Sequence, residues 1–281
     1  MNDDGSPKIY LLPNLMTAGN LFCGFLATLK ILKGALLMST VPLTGSAALD
    51  AGEPHFKMAI WCILAACVFD ALDGRLARLG GTDSPFGREF DSLADVVSFG
   101  VAPALLVTRV LLRDFEMIGW LVASIYLICG AMRLARFNCI AASGVPGASK
   151  DFKGIPIPAA AGLVATVSLF MMWLTNDHVE HLVMQWVLPP LLVFLSWMMF
   201  SSFKYPSFKN INWRTTRSLP KFLTIVIVIA VTVMNYQWMP AVIFLTYLLY
   251  GFLRPFLSRH IKQSIEEEIE DEEDEPEADS P

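Results

Sequence analysis

The sequence predicts an all-α membrane protein with about eight helical spans and one polar site, and three observations lead to this class. The 281 residues are 54% hydrophobic with a mean hydropathy of +0.52, which is too apolar for a soluble domain. Apolar runs of roughly spanning length recur along the chain. Four aspartates lie at the ends of two of these runs, where ionisable groups are costly and usually mark function.

The apolar runs predict the order of the spans along the chain. The last two runs are only about 16 residues long, near the lower limit for crossing a bilayer, and Asn235, Gln237 and Pro240 predict a tight turn between them. A helical hairpin that enters the bilayer only partly is therefore an alternative there. The eight predicted spans are 15–37, 57–76, 92–112, 117–137, 157–175, 183–203, 221–236 and 238–254.

The Lys and Arg residues predict the orientation of these spans. Under the eight-span arrangement most basic residues lie on the side of both termini, whereas the opposite side carries only Lys57, Arg109 and Arg113. Because basic loops stay in the cytoplasm, both termini and the aspartates are expected there, in a multi-pass protein of the cytoplasmic membrane.

The chain is expected to have three parts: a short cytoplasmic N-terminus (1–13), a membrane domain (14–260) and an acidic cytoplasmic tail (261–281). The net charge of −5 arises from the tail, because residues 264–281 carry 11 acidic side chains and no basic one. Such a composition predicts a disordered, solvating extension. The lipid bilayer is an expected partner, and nucleic acid is not.

The four aspartates are spaced for two helix faces. Asp70 and Asp73 are three residues apart, and Asp91 and Asp95 are four apart, so each pair projects from one side of a helix. Four carboxylates brought together repel one another unless cations lie between them. Carboxylate oxygens select hard cations, so two Mg²⁺ or Mn²⁺ ions are the expected cofactors.

The segment DALDGRLARLGGTDSPFGREFDSLAD at 70–95 resembles the signature of the CDP-alcohol phosphatidyltransferases at every defined position. The resemblance implies two metal ions, a CDP-linked lipid as donor and an alcohol as acceptor. It implies that Asp70 and Asp91 bridge both metals, that Asp73 holds the first, and that Asp95 contacts the second and acts as the catalytic base.

Other residues near this motif are expected to bind the donor. Gly74 leaves room for the nucleotide, Arg78 is suited to the diphosphate, and Ser84 is a weaker phosphate contact. Asn14 and Thr17 lie in the N-terminal stretch LPNLMTAGN, and similar segments in the family help to seat the cytidine and phosphates. The alternative for Asn14 and Thr17 is that they only start and cap the first helix.

Two segments bear on the acceptor. The stretches RLARFN and DFKGIPIPAAAG look like those of the phosphatidylserine synthase branch of the family. Arg133, Arg136 and Lys153 in these stretches are candidates to bind an acceptor carboxylate, which serine has and inositol lacks. The alternative is that they are ordinary cytoplasmic anchors.

The expected reaction joins CDP-diacylglycerol and L-serine to give phosphatidylserine and CMP, in an enzyme that the resemblance implies is a homodimer. One alternative keeps the chemistry but uses glycerol 3-phosphate or an inositol phosphate as the acceptor. Another, of a different class, is a cation transporter whose aspartates line an ion path.

Overall fold

A computed structural model describes residues 11–40, 46–80, 84–110, 116–142, 154–176, 181–201 and 219–253. Within these ranges the regular structure is helical. The α-helices are α1 (Leu11–Thr40), α2 (Ser46–Gly80), α3 (Pro85–Asp95), α4 (Ala102–Val110), α5 (Glu116–Ala142), α6 (Ile157–Asn176), α7 (His181–Phe200), α8 (Leu219–Met234) and α9 (Met239–Leu253), and a π-helical segment, Val96–Val101, joins α3 to α4.

Five helices in the described ranges are long and apolar enough to cross a membrane, so the predicted polytopic helix bundle is confirmed. Large apolar side chains on α1, including Phe22 and Phe25, point outward, as expected for a surface that faces lipid. Shorter apolar helices cover Leu188–Phe200 and Met239–Leu253. The five longer helices are Leu11–Thr40, Ala51–Leu76, Pro85–Val110, Met117–Ile140 and Ile157–Leu174.

Two central contacts organise the bundle. The first is between α1 and α2, where a Cβ at Gly34 or Gly52 would overlap the ring of the buried Phe56, so these glycines allow close packing. The second contact is made by α6, which packs against α2, α4, α7 and α9. A Cβ at Gly162 would meet the ring of Phe244 on α9 at 2.5 Å, so α9 packs closely against α6.

The helices differ from the predicted spans mainly at the start of α2, which begins at Ser46 rather than at residue 57, and at the aspartate elbow. The third span, which consists of α3, the π-helical segment and α4, begins at Pro85 rather than at residue 92, and α2 continues to Gly80. Ser84 caps α3 by accepting a hydrogen bond from the Gly87 amide at 3.0 Å, and Pro85 suits the first helical turn. Capping therefore extends the helix further than hydropathy indicates. The predicted turn before α9 is present at 235–238.

The π-helical segment was not predicted from the sequence. It follows Asp95 directly, and in an α-helix the amide of residue 103 would donate to the Phe99 carbonyl. Pro103 has no N–H, and the buried Tyr126 hydroxyl of α5 donates to that carbonyl instead, at 2.9 Å. A side chain from another helix therefore satisfies this carbonyl of the distorted segment.

Candidate active site

Three carboxylates converge where α2 meets α3. One oxygen from each of Asp70, Asp91 and Asp95 lies within 4.8 Å of the others, although the residues come from two helices. Asp73 lies one turn along α2 from Asp70; it is 5% exposed and is close enough to Asp91 for their charges to interact. The sequence-predicted aspartates thus share one end of the bundle, with three in the tightest group.

The chemistry of this cluster fits a divalent cation. Asp91 Oδ1 is buried and has no hydrogen-bond partner among the described residues. A buried carboxylate oxygen without a partner is costly, and like charges nearby increase the cost. Hard cations such as Mg²⁺ and Mn²⁺ remove both penalties because they prefer carboxylate oxygens.

Helix α1 supplies hydrogen bonds to two of the aspartates. Thr17 Oγ1 donates to Asp73 Oδ2 at 2.9 Å, and Asn20 Nδ2 donates to Asp95 Oδ1 at 3.0 Å. Both donors are buried, and they lie three residues apart on one face of the helix. Sequence reasoning assigned Thr17 to the nucleotide and missed Asn20. The signal that was available is the spacing Thr17, Asn20 and Gly24, a polar and small stripe within an apolar span.

Two of the residues expected to bind the donor, Asn14 and Ser84, lie at the start of α3. Asn14 Nδ2 is buried without a partner among the described residues, and Asn14 Oδ1 would lie 3.3 Å from a Cβ at Gly87. Ser84 Oγ caps α3 there. A Cβ at Gly74 would have no neighbour within 4 Å, so the backbone beside Asp73 borders open space. Arg78 belongs to α2, but its side chain lies outside the described part of the structure.

The three residues expected to bind the acceptor have different surroundings. Arg133 is half-buried on α5, and it interacts electrostatically with Asp95 and Asp70. Its Nε is buried and has no hydrogen-bond partner among the described residues. Arg136 is exposed, and Lys153 lies outside the described residues. Of these three residues, Arg133 is the one that the described part of the structure brings to the carboxylates.

Two further polar residues near Arg133 were not singled out from the sequence. Asn138, the last residue of RLARFN, donates through Nδ2 to Ser92 Oγ at 2.9 Å and so ties α5 to α3. Tyr247 of α9 interacts electrostatically with Arg133. Because α5 and α9 are far apart in sequence, only the folded bundle reveals this electrostatic interaction.

Comparison with known proteins identifies the family. The profile of the CDP-alcohol phosphatidyltransferases matches residues 10–199, which include all four aspartates and Arg133. The chain belongs to this family. CDP-alcohol phosphatidyltransferases are metal-dependent enzymes in general, which agrees with the aspartate cluster and sets the transporter alternative aside.

Several curated CDP-alcohol phosphatidyltransferases are similar to this chain. A CDP-diacylglycerol–serine O-phosphatidyltransferase of Helicobacter pylori (strain ATCC 700392 / 26695) is 35% identical over 248 residues, covering 88% of this chain and 91% of the relative. An archaetidylserine synthase of Methanothermobacter thermautotrophicus is 34% identical over 208 residues, covering 73% of this chain and 74% of the relative. A CDP-diacylglycerol–serine O-phosphatidyltransferase of Methanocaldococcus jannaschii is 40% identical over 150 residues, covering 53% of this chain and 63% of the relative.

Proposed function

We propose that this enzyme transfers the phosphatidyl group of CDP-diacylglycerol to the hydroxyl of L-serine, giving phosphatidylserine and CMP. The observation that carries the choice of acceptor is Arg133, a half-buried guanidinium beside the aspartate cluster whose Nε has no partner among the described residues. Such a group suits a carboxylate, which serine carries and inositol does not. The names of the similar curated proteins support the same acceptor.

The donor would lie along the elbow between α2 and α3. The open space beside Gly74 admits the nucleotide, and the unpartnered Asn14 Nδ2 can donate to a phosphate or cytidine oxygen. Arg78 would bind the diphosphate, and Ser84, while capping α3 as an acceptor, can still donate through its hydroxyl hydrogen. These residues hold the phosphorus next to the carboxylates.

Asp95 acts as the base in the proposed reaction. Its carboxylate takes the proton of the serine hydroxyl while the hydroxyl oxygen attacks the phosphorus that bears diacylglycerol. The bond from that phosphorus to the bridging diphosphate oxygen breaks, and CMP leaves with the electron pair. Two divalent cations held by Asp70, Asp73, Asp91 and Asp95 would supply charge neutralisation for the diphosphate and the departing CMP.

The orientation and assembly belong to the same proposal. Basic residues concentrate on the side of the aspartates, which supports a site that opens to the cytoplasm of a plasma-membrane enzyme. A homodimer is proposed from the family resemblance.

The decisive experiment measures CMP release by the purified protein with CDP-diacylglycerol and Mg²⁺. Serine should drive release, and glycerol 3-phosphate or inositol phosphate should do so far less. CMP release that follows a phosphorylated alcohol and ignores serine would overturn the acceptor assignment while leaving the family intact.

A matched pair of variants tests the role of Arg133. Arg133→Gln should raise the KM for serine by roughly 10- to 100-fold, because a charge-assisted hydrogen bond to the carboxylate is lost. Arg109→Gln removes an exposed arginine in the last turn of α4, away from the aspartates, and should leave the KM for serine unchanged. An unchanged KM in Arg133→Gln would contradict recognition of serine by this residue.

A further inference from the structure

Asn20 is a fully buried polar residue next to the proposed base. Its side chain is 0% exposed, and its Nδ2 donates to Asp95 Oδ1 at 3.0 Å. Its backbone carbonyl accepts from Ser98 Oγ of the π-helical segment at 2.9 Å. Asn20 therefore contacts the helix of Asp95 at two points, one before and one after the start of the π-helical segment.

The amide oxygen of Asn20 is left without a partner. The carboxylate of Asp95 needs a donor, so the amide nitrogen must face it and Oδ1 must face away. Oδ1 is buried and has no hydrogen-bond partner among the described residues. A buried acceptor without a partner lowers fold stability, so the hydrogen bond to Asp95 is made at a cost to the packing of α1. Buried polar groups without a hydrogen-bond partner are expected mainly at functional sites.

The packing around Asn20 fixes the position of α1 along its axis relative to the π-helical segment. A Cβ at Gly24, one turn along α1, would overlap both the side chain and the backbone of Ser98. Gly24 therefore allows the two helices to touch, and the hydrogen bond from Ser98 sets their register. In this register the Asn20 amide donates to Oδ1 of Asp95 and not to Oδ2.

Resting on the proposed function, we infer that Asn20 is a positioning residue for Asp95. Its N–H group bonds to one lone pair of Oδ1, which leaves a second lone pair of Oδ1 for the metal ion that Asp95 would help to hold, and it orients the carboxylate so that Oδ2 receives the proton of the acceptor hydroxyl during attack on phosphorus. The residue therefore acts on turnover, and not on the affinity for CDP-diacylglycerol or for the acceptor.

The test compares Asn20→Leu with the wild-type enzyme loaded with Mg²⁺. We expect kcat to fall by roughly 10- to 100-fold, as is typical when a hydrogen-bond partner of a metal-site carboxylate is removed. The KM for serine and the affinity for CDP-diacylglycerol should stay within about threefold of wild type, since only an interaction of the reacting state is lost. The thermal midpoint should stay within a few degrees of wild type, because the loss of the donor to the buried Asp95 Oδ1 is offset by the removal of the unpartnered amide oxygen.

Two additional variants complete the design. Asn20→Ala removes the same donor without adding bulk beside Ser98, and it should show the same fall in kcat if the leucine variant does not fold. Ser168→Ala removes a fully buried hydroxyl that bonds to Val164 O at 2.7 Å within α6. It controls for the loss of a buried hydrogen bond and should keep the wild-type kcat.

The alternatives give different results. A rise in KM for serine at unchanged kcat would overturn the inference and make Asn20 an acceptor contact. A fall in kcat that matches a loss of folded protein would overturn it in favour of a structural role. If the wild-type enzyme uses another alcohol instead of serine, the proposed acceptor is wrong, and the Asn20 comparison is made with that alcohol.

Discussion

The hydroxyl of Tyr126 should stabilise the π-helical segment by a measurable amount. Tyr126→Phe removes one oxygen and keeps the fully buried ring, so the main loss is the 2.9 Å hydrogen bond to the Phe99 carbonyl. Because Pro103 has no N–H to offer, the amide that would bond to this carbonyl in an α-helix cannot replace the hydroxyl. The free energy of unfolding should fall by about 1–2 kcal/mol, within the range for a buried acceptor left unpaired.

A double-mutant cycle with Pro103→Ala tests this explanation. Alanine restores a backbone N–H that can bond to the Phe99 carbonyl, so Tyr126→Phe should cost less in that background, with a coupling energy of about 1 kcal/mol. The four proteins are unfolded by SDS in mixed micelles, and helix content is followed by circular dichroism. Equal losses in both backgrounds, or no loss in either, would refute the argument that the hydroxyl substitutes for the missing amide.

Three other results are expected. Thr17→Val removes the donor to Asp73 Oδ2, so the Mg²⁺ concentration for half-maximal activity should rise about 10-fold, and an unchanged Mg²⁺ titration would show that this bond does not support the metal site. Asp91→Asn should weaken Mg²⁺-dependent donor binding and turnover together. Asp95→Asn should keep much of the donor binding but lose roughly 10²- to 10⁴-fold in single-turnover rate. Recovery of the Asp95→Asn rate at high Mg²⁺ would mean that the base lies elsewhere. Deletion of residues 266–281 should leave turnover within a few-fold, because this acidic segment offers little apolar surface to bury, and loss of most activity in well-folded protein would reveal a regulatory tail.

The sequence alone was sufficient for the fold class of the protein and for its family. Hydropathy predicted a helical membrane bundle because a bilayer accepts only long apolar segments with satisfied backbones. The motif at 70–95 indicated the family that the comparison confirmed, since its aspartates have spacings that place each pair on one helix face. These are local properties, and local properties can be read along the chain.

Contacts between distant segments needed the tertiary structure. Asn20 and Asp95 are 75 residues apart, and no periodicity within α1 predicts which carboxylate accepts the hydrogen bond from the Asn20 amide. The Phe99 carbonyl of the π-helical segment accepts a hydrogen bond from a hydroxyl of α5, and Arg133 of α5 interacts electrostatically with Asp95, Asp70 and Tyr247 of α9. A hydrogen bond or a charge pair across helices is set by how the helices pack, so the surroundings of the aspartates became visible only in the folded bundle.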